Sequence, residues 1–275
     1  MNPVLSPDLL TDLRQLVEFP FMVNALMAGT IVAVLAATVG WYVVARRQAF
    51  AAHTLSVMAF PGAAGASLAG LPAALGYYVA CLAAAGLLRR RHNSYGDQSA
   101  MIGTVQTVGL AAGFLFLSLN QSLLGSPDSL LFGTFLGVTS SEVLVLLAVA
   151  VASIAALATI GRPLLFATVD RELARASGVP VGAIEAVFVI VLALAIAATS
   201  QITGALLVFA LLVAPAACAQ ALTNAPLPGL VLSIAFGVAI VWLGLALAYF
   251  SIYPSGFFIT TLAFALYVVV RVWRR

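Results

Sequence analysis

The residues most able to do chemistry lie in one short stretch, residues 46–62. Two arginines, Arg46 and Arg47, open the stretch, and the apolar run that follows contains His53, one of two histidines in the chain. A polar side chain inside an apolar segment is costly, so it commonly has a partner or a function. Neutral imidazole is a good ligand for zinc and an acceptable one for manganese or iron. His53 is therefore the first candidate to contact a metal.

Ser56 lies on the same segment, three residues after His53, and this spacing places both side chains on one face of a helix. His53 follows Arg47 by six residues, roughly 9 Å along a helix, which is near or below the polar boundary of a membrane. A structural zinc site takes about four ligands, and no second histidine or carboxylate lies within a turn or two. Two interpretations stay open: His53 and Ser56 contact a transported metal, or His53 is an interfacial histidine with a backbone partner.

The frame around this stretch has the composition of a membrane protein. The chain has 275 residues, of which 63% are hydrophobic and 8% charged, whereas a soluble domain carries about 25% charged residues. Several apolar runs reach the roughly 20 residues that a membrane-spanning helix needs. These runs are apolar throughout, unlike the alternating strands of a membrane barrel. We therefore expect an all-α, polytopic transmembrane helical bundle of about nine spans, or eight if one segment is merged or re-entrant.

Composition also limits what the chain does by itself. All twelve basic residues are arginine, and the net charge of +3 is no signal of nucleic-acid binding. The phosphate loop of an ATPase needs a lysine after its last glycine, so any ATPase must be a separate subunit. Cys81 and Cys218 lie in separate apolar runs and predict no disulfide framework. We expect a transport subunit that is not an enzyme and binds no cofactor of its own.

The expected organisation is a short amphipathic surface segment at residues 1–20 and a single transmembrane domain at residues 21–275. The expected spans are 21–45, 53–70, 71–88, 99–119, 139–160, 181–199, 204–222, 230–250 and 257–270. Positive residues prefer the cytoplasmic side. Nine spans with the N-terminus outside and the C-terminus in the cytoplasm place every arginine except Arg14 inside. We therefore expect a multi-pass protein of the plasma membrane.

Some residues predict local features within this frame. Pro61 and Pro215 each remove an intrahelical hydrogen bond, which predicts a kinked or broken helix. Gly62 would let another helix approach closely. The residues from Thr139 to Glu142 match a capping box and predict the start of a helix.

A dense charged group lies between the fifth and sixth spans, within a predicted cytoplasmic segment at residues 162–180. Residues 170–176 predict one short exposed helix, which Gly178 ends. This charged segment has two interpretations. It is a solvated connection that only fixes the orientation of the chain in the membrane, or it docks a cytoplasmic partner. Glu185 is expected to be structural and within reach of water or Arg162. The candidate docking residues are Asp170, Arg171, Glu172, Arg175 and Gly178.

The order of these motifs resembles the membrane permease subunit of the zinc- and manganese-type ABC importer family, over almost the whole chain. The stretches that carry the resemblance are FMVNALMAG at 21–29, RRQAF at 46–50 with Pro61 and Gly62, LFGTFLGV at 131–138, RELARASGVP at 171–180, GALLVFALLVAPA at 204–216 and PSG at 254–256. The resemblance implies a homodimer of permeases, two cytoplasmic ATPase subunits and an extracytoplasmic solute-binding protein. It also implies that the helix at 171–178 is the coupling helix seated on the ATPase.

The resemblance is incomplete in the second span. Many members of the family carry Gly-Asp-Ala-Leu-Ser-His there, where the acid and the histidine suit a divalent cation. The aligned residues here are 52–57, and His53 stands in place of the acid while Val57 stands in place of the histidine. This difference leaves three interpretations: the transported metal differs, the metal site is formed by other residues, or the substrate is not a free ion.

We therefore expect the permease subunit of an ATP-driven ABC importer for a divalent transition metal, zinc or manganese. One alternative keeps the ABC architecture and changes the cargo to a chelated metal or another small solute. A second alternative is an ATP-independent secondary carrier or channel. Such carriers commonly place ionisable residues near the middle of the membrane, and spans three to nine show none there.

Overall fold

A computed structural model of the chain describes residues 19–89, 95–120, 133, 135–205, 207–251 and 253–274. All regular secondary structure over these residues is helical, which confirms the expected all-α class. The helices are α1 (Pro20–Ala45), α2 (Ala49–Leu68), α3 (Ala73–Arg89), α4 (Tyr95–Leu119), α5 (Ser140–Val169), α6 (Arg171–Ala176), α7 (Val181–Thr203), α8 (Leu207–Leu222), α9 (Pro226–Tyr249) and α10 (Ser255–Trp273). The expected surface segment lies outside the described residues except for its last two positions, and Pro20 is the first residue of α1.

Six helices in the described part of the chain are long and apolar enough to cross a membrane. They are α1, α5, α7, α9, α10 and the portion of α4 from Met101 to Leu119. α3 and α8 are shorter apolar helices. The long helices follow one another in the order of the expected spans, whereas the number that cross the membrane and the orientation of the termini stay predictions.

α5 is longer than its apolar run indicated. The helix begins with the predicted capping box, in which Thr139 accepts from the backbone N–H of Glu142, and it continues to Val169. The expected end near residue 160 is therefore wrong, because Arg162 and the proline after it lie inside the helix. An apolar run marks the depth of the membrane, whereas a helix continues wherever its backbone hydrogen bonds and packing allow. The first part of the predicted segment 162–180 thus belongs to α5.

α7 also runs further than predicted. It continues to Thr203, whereas the expected span ended at residue 199. Gly204 ends the helix with φ of 74°, a left-handed conformation that glycine adopts without steric cost. The chain then enters α8 at Leu207.

The two helices with central prolines continue without a break. Pro61 lies inside α2, and Pro215 lies inside α8. A break of the helix is therefore absent at both positions, and a kink stays a prediction. A proline leaves one carbonyl of the preceding turn without its usual partner, and here both prolines are buried among neighbouring residues.

α1 is the central helix of the bundle, with α5, α7, α8 and α9 packed around it. Its side chains at Ala28, Leu35 and Val39 are fully buried. Gly40 allows a close approach of α8, because a Cβ there would overlap the backbone carbonyl of Leu212. A helix that is apolar on every side fits this enclosed position.

α2 forms a second group with α3 and α4. Gly62 on α2 and Gly76 on α3 face each other, and a Cβ on either glycine would overlap the carbonyl oxygen of the other. The two backbones are therefore in contact, which is the small-residue packing typical of membrane helices. This contact fixes the position of α2, the helix that carries His53.

Replacing Gly76 by leucine should force α2 and α3 apart. We expect a loss of about 1–3 kcal/mol in the free energy of unfolding, the usual cost of overpacking a core. A thermal unfolding scan of the purified protein in detergent measures the effect. Gly86→Leu is the matched control on the same helix, because a Cβ at Gly86 meets nothing within 4 Å. Equal unfolding temperatures for the two variants would contradict this account of the contact.

Candidate functional site

His53 is half-buried in the second turn of α2, between α4 and α8. Its ring lies edge-on to the ring of Phe209 on α8, with 4.8 Å between the centroids. Its Nε2 lies 3.4 Å from Nε2 of Gln106 on α4. The buried Nδ1 has no hydrogen-bond partner among the described residues. One side of the imidazole is therefore held by an amide, while the other is free to bind.

Gln106 is fixed by a second contact to α2. Its Oε1 accepts a hydrogen bond of 3.3 Å from Oγ1 of Thr54. This bond directs the amide NH₂ toward His53, whose Nε2 then accepts and whose proton lies on Nδ1. Nδ1 can bind a metal only in the other tautomer, with the amide turned so that its oxygen accepts from Nε2–H. The three side chains form a polar cluster, defined here as His53, Thr54 and Gln106, that joins α2 to α4. Every member of the polar cluster is neutral in this arrangement.

Ser56 does not join the polar cluster. Its hydroxyl is buried and donates a hydrogen bond of 2.7 Å to the backbone carbonyl of His53. Spacing alone places Ser56 and His53 on one face of a helix, but this bond turns the serine oxygen back onto its own helix. Ser56 therefore contributes to the local structure of α2, and its hydroxyl proton is already used.

The described residues contain no group of three or more histidine, cysteine, aspartate or glutamate side chains that could hold a metal ion. Cys81 and Cys218 are buried and unpaired with each other. Cys81 donates a long hydrogen bond of 3.6 Å to the carbonyl of Leu55. A single copy of the chain thus presents one imidazole and one amide at this position, which is too few ligands for a resident metal.

Gln106 and Phe209 are the members of this site that sequence reasoning missed. The one available signal was the cost of an amide within an apolar span, since polar side chains in the membrane face a partner or a cavity. That signal identifies Gln106 as unusual but does not say which helix it faces. Only the packing of α4 against α2 supplies its partner.

The predicted docking helix is present as α6. Asp170 precedes it, and Oδ1 of Asp170 accepts from the backbone N–H of Leu173 at 2.9 Å. Glu172 and Arg175 form an exposed ion pair of 2.9 Å along the helix. Gly178 follows the helix with φ of +83°, which glycine adopts readily. The sequence therefore located both ends of this helix correctly.

Arg171 and Glu185 belong to a network that the sequence did not reveal. Oε2 of Glu185 lies 2.7 Å from Arg171, and Oε1 lies 3.3 Å from Arg46 at the end of α1. The expected contact of Glu185 with Arg162 is therefore replaced by two other arginines. Burial lowers the pKa of Arg46, and the adjacent Glu185 opposes that shift. The guanidinium stays charged because its ordinary pKa is so high.

A separate apolar groove of about 670 Å³ lies between α1, α5 and Trp242 of α9. At one end, Asn24 donates hydrogen bonds of 3.3 Å to the carbonyl of Val138 and to Oγ of Ser140. Thr30 accepts from the indole N–H of Trp242 at 2.8 Å. The amide nitrogen of Asn24 and the hydroxyl of Thr30 are thus already paired, and the described residues that line the groove include no histidine, cysteine, aspartate or glutamate.

Comparisons with known proteins agree with this architecture. Residues 18–274 match the model of a family described as the ABC 3 transport family. The chelated iron transport system membrane protein YfeC of Yersinia pestis is 30% identical over 245 residues, which cover 89% of this chain and 82% of that protein. The manganese transport system membrane protein MntC of Halalkalibacterium halodurans is 28% identical, over 82% of this chain and 77% of that protein.

A solved structure is similar over nearly the full length. PsaBC from Streptococcus pneumoniae, in complex with Fab, has a chain that superimposes with a TM-score of 0.85 at 26% identity. The match covers 96% of this chain and 95% of that chain. This chain therefore shares its fold with a chain of that solved complex.

The cap at Asp170 should control the order of α6. Asp170→Ala removes the side-chain acceptor for the N–H of Leu173, and loss of such a cap costs about 0.5–2 kcal/mol. We expect faster amide hydrogen exchange in residues 171–176, measured by mass spectrometry of the purified chain. Glu172→Ala is the control, because this exposed carboxylate caps nothing. Unchanged exchange in Asp170→Ala would show that other contacts order the helix.

Proposed function

The chain belongs to the ABC 3 transport family, and on this premise we propose that it is the permease subunit of an ATP-driven importer for a divalent transition metal, zinc or manganese. It is a multi-pass membrane permease of the metal ABC importer type. The cargo, the energy source and the partners are the finer parts of the proposal. The observation that supports a metal as the cargo is the environment of His53. Its imidazole lies against Gln106 and leaves Nδ1 without a partner in the described part of the chain.

The ligand chemistry supports a transition metal as cargo. Imidazole nitrogen suits zinc, iron and manganese and is a poor ligand for calcium or magnesium. A transported ion must also leave, so a pathway needs fewer and weaker ligands than a structural site. One imidazole per chain, held by an amide on its other side, meets that requirement. The names of the relatives for manganese and for chelated iron transport point to the same class of ion.

A homodimer is the assembly that we propose. Most oligomers of one chain are symmetric, so a residue near the two-fold axis meets its own copy. Two copies of the polar cluster on one path would supply two imidazoles. Water or ligands carried by the cargo would complete the usual four-fold coordination of zinc. The pairing of two chains would thus double the number of ligands that a single chain offers.

The remaining partners are a cytoplasmic ATPase and an extracytoplasmic solute-binding protein. The sequence has no lysine and hence no phosphate loop for ATP. α6 offers a docking surface, since Leu173 is 54% exposed beside the charged pair of Glu172 and Arg175. An exposed apolar side chain with charges at its rim is typical of a protein contact. We therefore place the ATPase at α6.

A chelated metal is the second candidate cargo. The polar cluster has no carboxylate, so it supplies no negative charge to offset a dication in a low-dielectric site. A chelate whose ligands already neutralise the ion would not need that charge. The relative from Yersinia pestis is named for chelated iron transport.

Uptake by the reconstituted complex tests the cargo. Proteoliposomes with the permease, its ATPase and its binding protein should take up labelled zinc or manganese, and His53→Ala should slow uptake by ~10–100-fold, the usual cost of disturbing a metal ligand. Gln106→Leu should lower uptake in the same direction. Thr107→Val is the matched control, because this exposed hydroxyl donates to a carbonyl of its own helix.

Three outcomes of the uptake experiment have distinct meanings. Loss of uptake in His53→Ala, with the ATPase still bound, supports the path through the polar cluster. Full uptake in both variants would contradict it. Uptake of a ferric or manganese chelate, with no uptake of free zinc or manganese by the wild type, would favour the second candidate cargo.

Docking of the ATPase at α6 is tested separately. Leu173→Glu combined with Arg175→Glu reverses the charge and removes the apolar contact of this surface. We expect the double variant to insert normally but to lose the ATPase on co-purification. Arg274→Glu is the control, an arginine-to-glutamate change at an exposed position after α10. Retention of the ATPase by the double variant would show that the ATPase does not dock at α6.

A further inference from the structure

The ion pairs of Glu185 connect parts of the chain that are far apart in sequence. One carboxylate oxygen binds Arg171, the first residue of α6, and the other binds Arg46, the residue after α1. The side chains of Arg46, Glu185 and Arg171 are 8%, 21% and 41% exposed. This network thus connects the surface helix α6 with the buried arginine that follows α1.

Arg46 is held by more than this carboxylate. Its guanidinium donates a hydrogen bond of 3.0 Å to Oγ1 of Thr168 near the end of α5. It also lies over the ring of Phe188 on α7, 5.3 Å from the centroid. A guanidinium with a carboxylate, a hydroxyl and an aromatic face around it has little freedom to move by itself. Displacement of Glu185 should therefore carry Arg46 with it.

Arg46 lies at the corner that leads to the polar cluster. Arg47, the next residue, has φ of 56°, a left-handed conformation that costs energy outside glycine and persists where neighbouring contacts enforce it. α2 starts two residues later at Ala49. His53 follows one turn further along, roughly 6 Å from the start of α2. The corner is short and tight, so movement at Arg46 reaches His53 through few bonds.

The other ion pair of α6 offers no such route. Glu172 and Arg175 lie three residues apart on the same helix, with side chains 83% and 50% exposed. Exposed pairs within one helix contribute little to stability, and this pair joins α6 to nothing else. It therefore differs from the Glu185 network in connectivity and burial, although its chemistry is the same.

We propose that Glu185 is a positioning residue that couples α6 to the α1–α2 corner, so that movement of the docking helix is delivered to the helix that carries His53. This inference rests on the proposed function, in which α6 seats the ATPase. Breaking the link should leave ATP hydrolysis in place and separate it from transport. A purely structural role for Glu185 would lower hydrolysis and uptake together.

The test measures metal taken up per ATP hydrolysed by the full complex in proteoliposomes, together with ATPase co-purification. Glu185→Gln keeps the shape of the side chain and removes its charge. We expect the ATPase to stay bound and active while uptake per ATP falls by roughly 2- to 30-fold, the range of energetic coupling carried by single residues between sites. Glu185→Asp keeps the charge and should recover part of the ratio. Glu142→Gln makes the same change outside α6, at a capping box that glutamine also satisfies, and should leave the ratio unchanged.

If Glu185→Gln does not accumulate in the membrane, Arg171→Gln decides the question. This half-exposed residue can lose its charge while the pair of Glu185 and Arg46 remains, and we expect the same fall in uptake per ATP. An unchanged ratio of uptake to ATP hydrolysis, in whichever variant accumulates, would overturn this inference and leave the proposed function standing. Loss of the ATPase from Glu185→Gln would also overturn it, because the residue would then serve docking. Absence of the ATPase from the wild-type complex would overturn the proposed function, and the inference with it.

Discussion

The cytoplasmic end of this protein, in the proposed orientation, depends on one carboxylate held between two arginines. Glu185 would be costly to bury alone, and Arg46 would be costly to bury without it. Together they fix where α1 ends, where α7 begins and where the short helix α6 is attached. The apolar helices supply no directional contact of this kind, since in a membrane their packing depends on shape and small residues. A few charged contacts therefore determine how the docking helix is oriented relative to the core.

The polar cluster also joins separate helices by directional contacts, but through neutral groups. His53, Thr54 and Gln106 satisfy one another across α2 and α4, so the apolar interior tolerates them. The arrangement leaves one imidazole nitrogen for a further partner. It also supplies no fixed negative charge, which separates it from the acid-and-histidine pair that many members of the resembled family carry. A cargo that passes here meets weak, neutral ligands and can leave as easily as it enters.

What the sequence predicted correctly was local. The capping box at Thr139, the short helix at residues 170–176 and the glycine at 178 each depend on a few neighbouring residues, so their patterns can be recognised without knowledge of the fold. The partners of Glu185 and His53 were not predictable, because Arg46, Arg171 and Gln106 meet them only through packing of distant helices. The course of α5 past residue 160 was missed for a different reason. Gly161, Arg162 and Pro163 together have the composition of a helix end, although the helix continues through the mostly apolar residues that follow.

The most direct test of this account is the reactivity of a cysteine at position 53 toward a water-soluble thiol reagent. The two native cysteines are buried, so His53→Cys introduces a thiol whose labelling can be assigned, and Ser56→Cys on the same helix is the buried control. The account predicts that position 53 is labelled in at least one of the nucleotide-free and ATP-bound states of the full complex, and that zinc or manganese slows the labelling. A thiol at 53 that stays as unreactive as one at 56 in both states would contradict a path through the polar cluster.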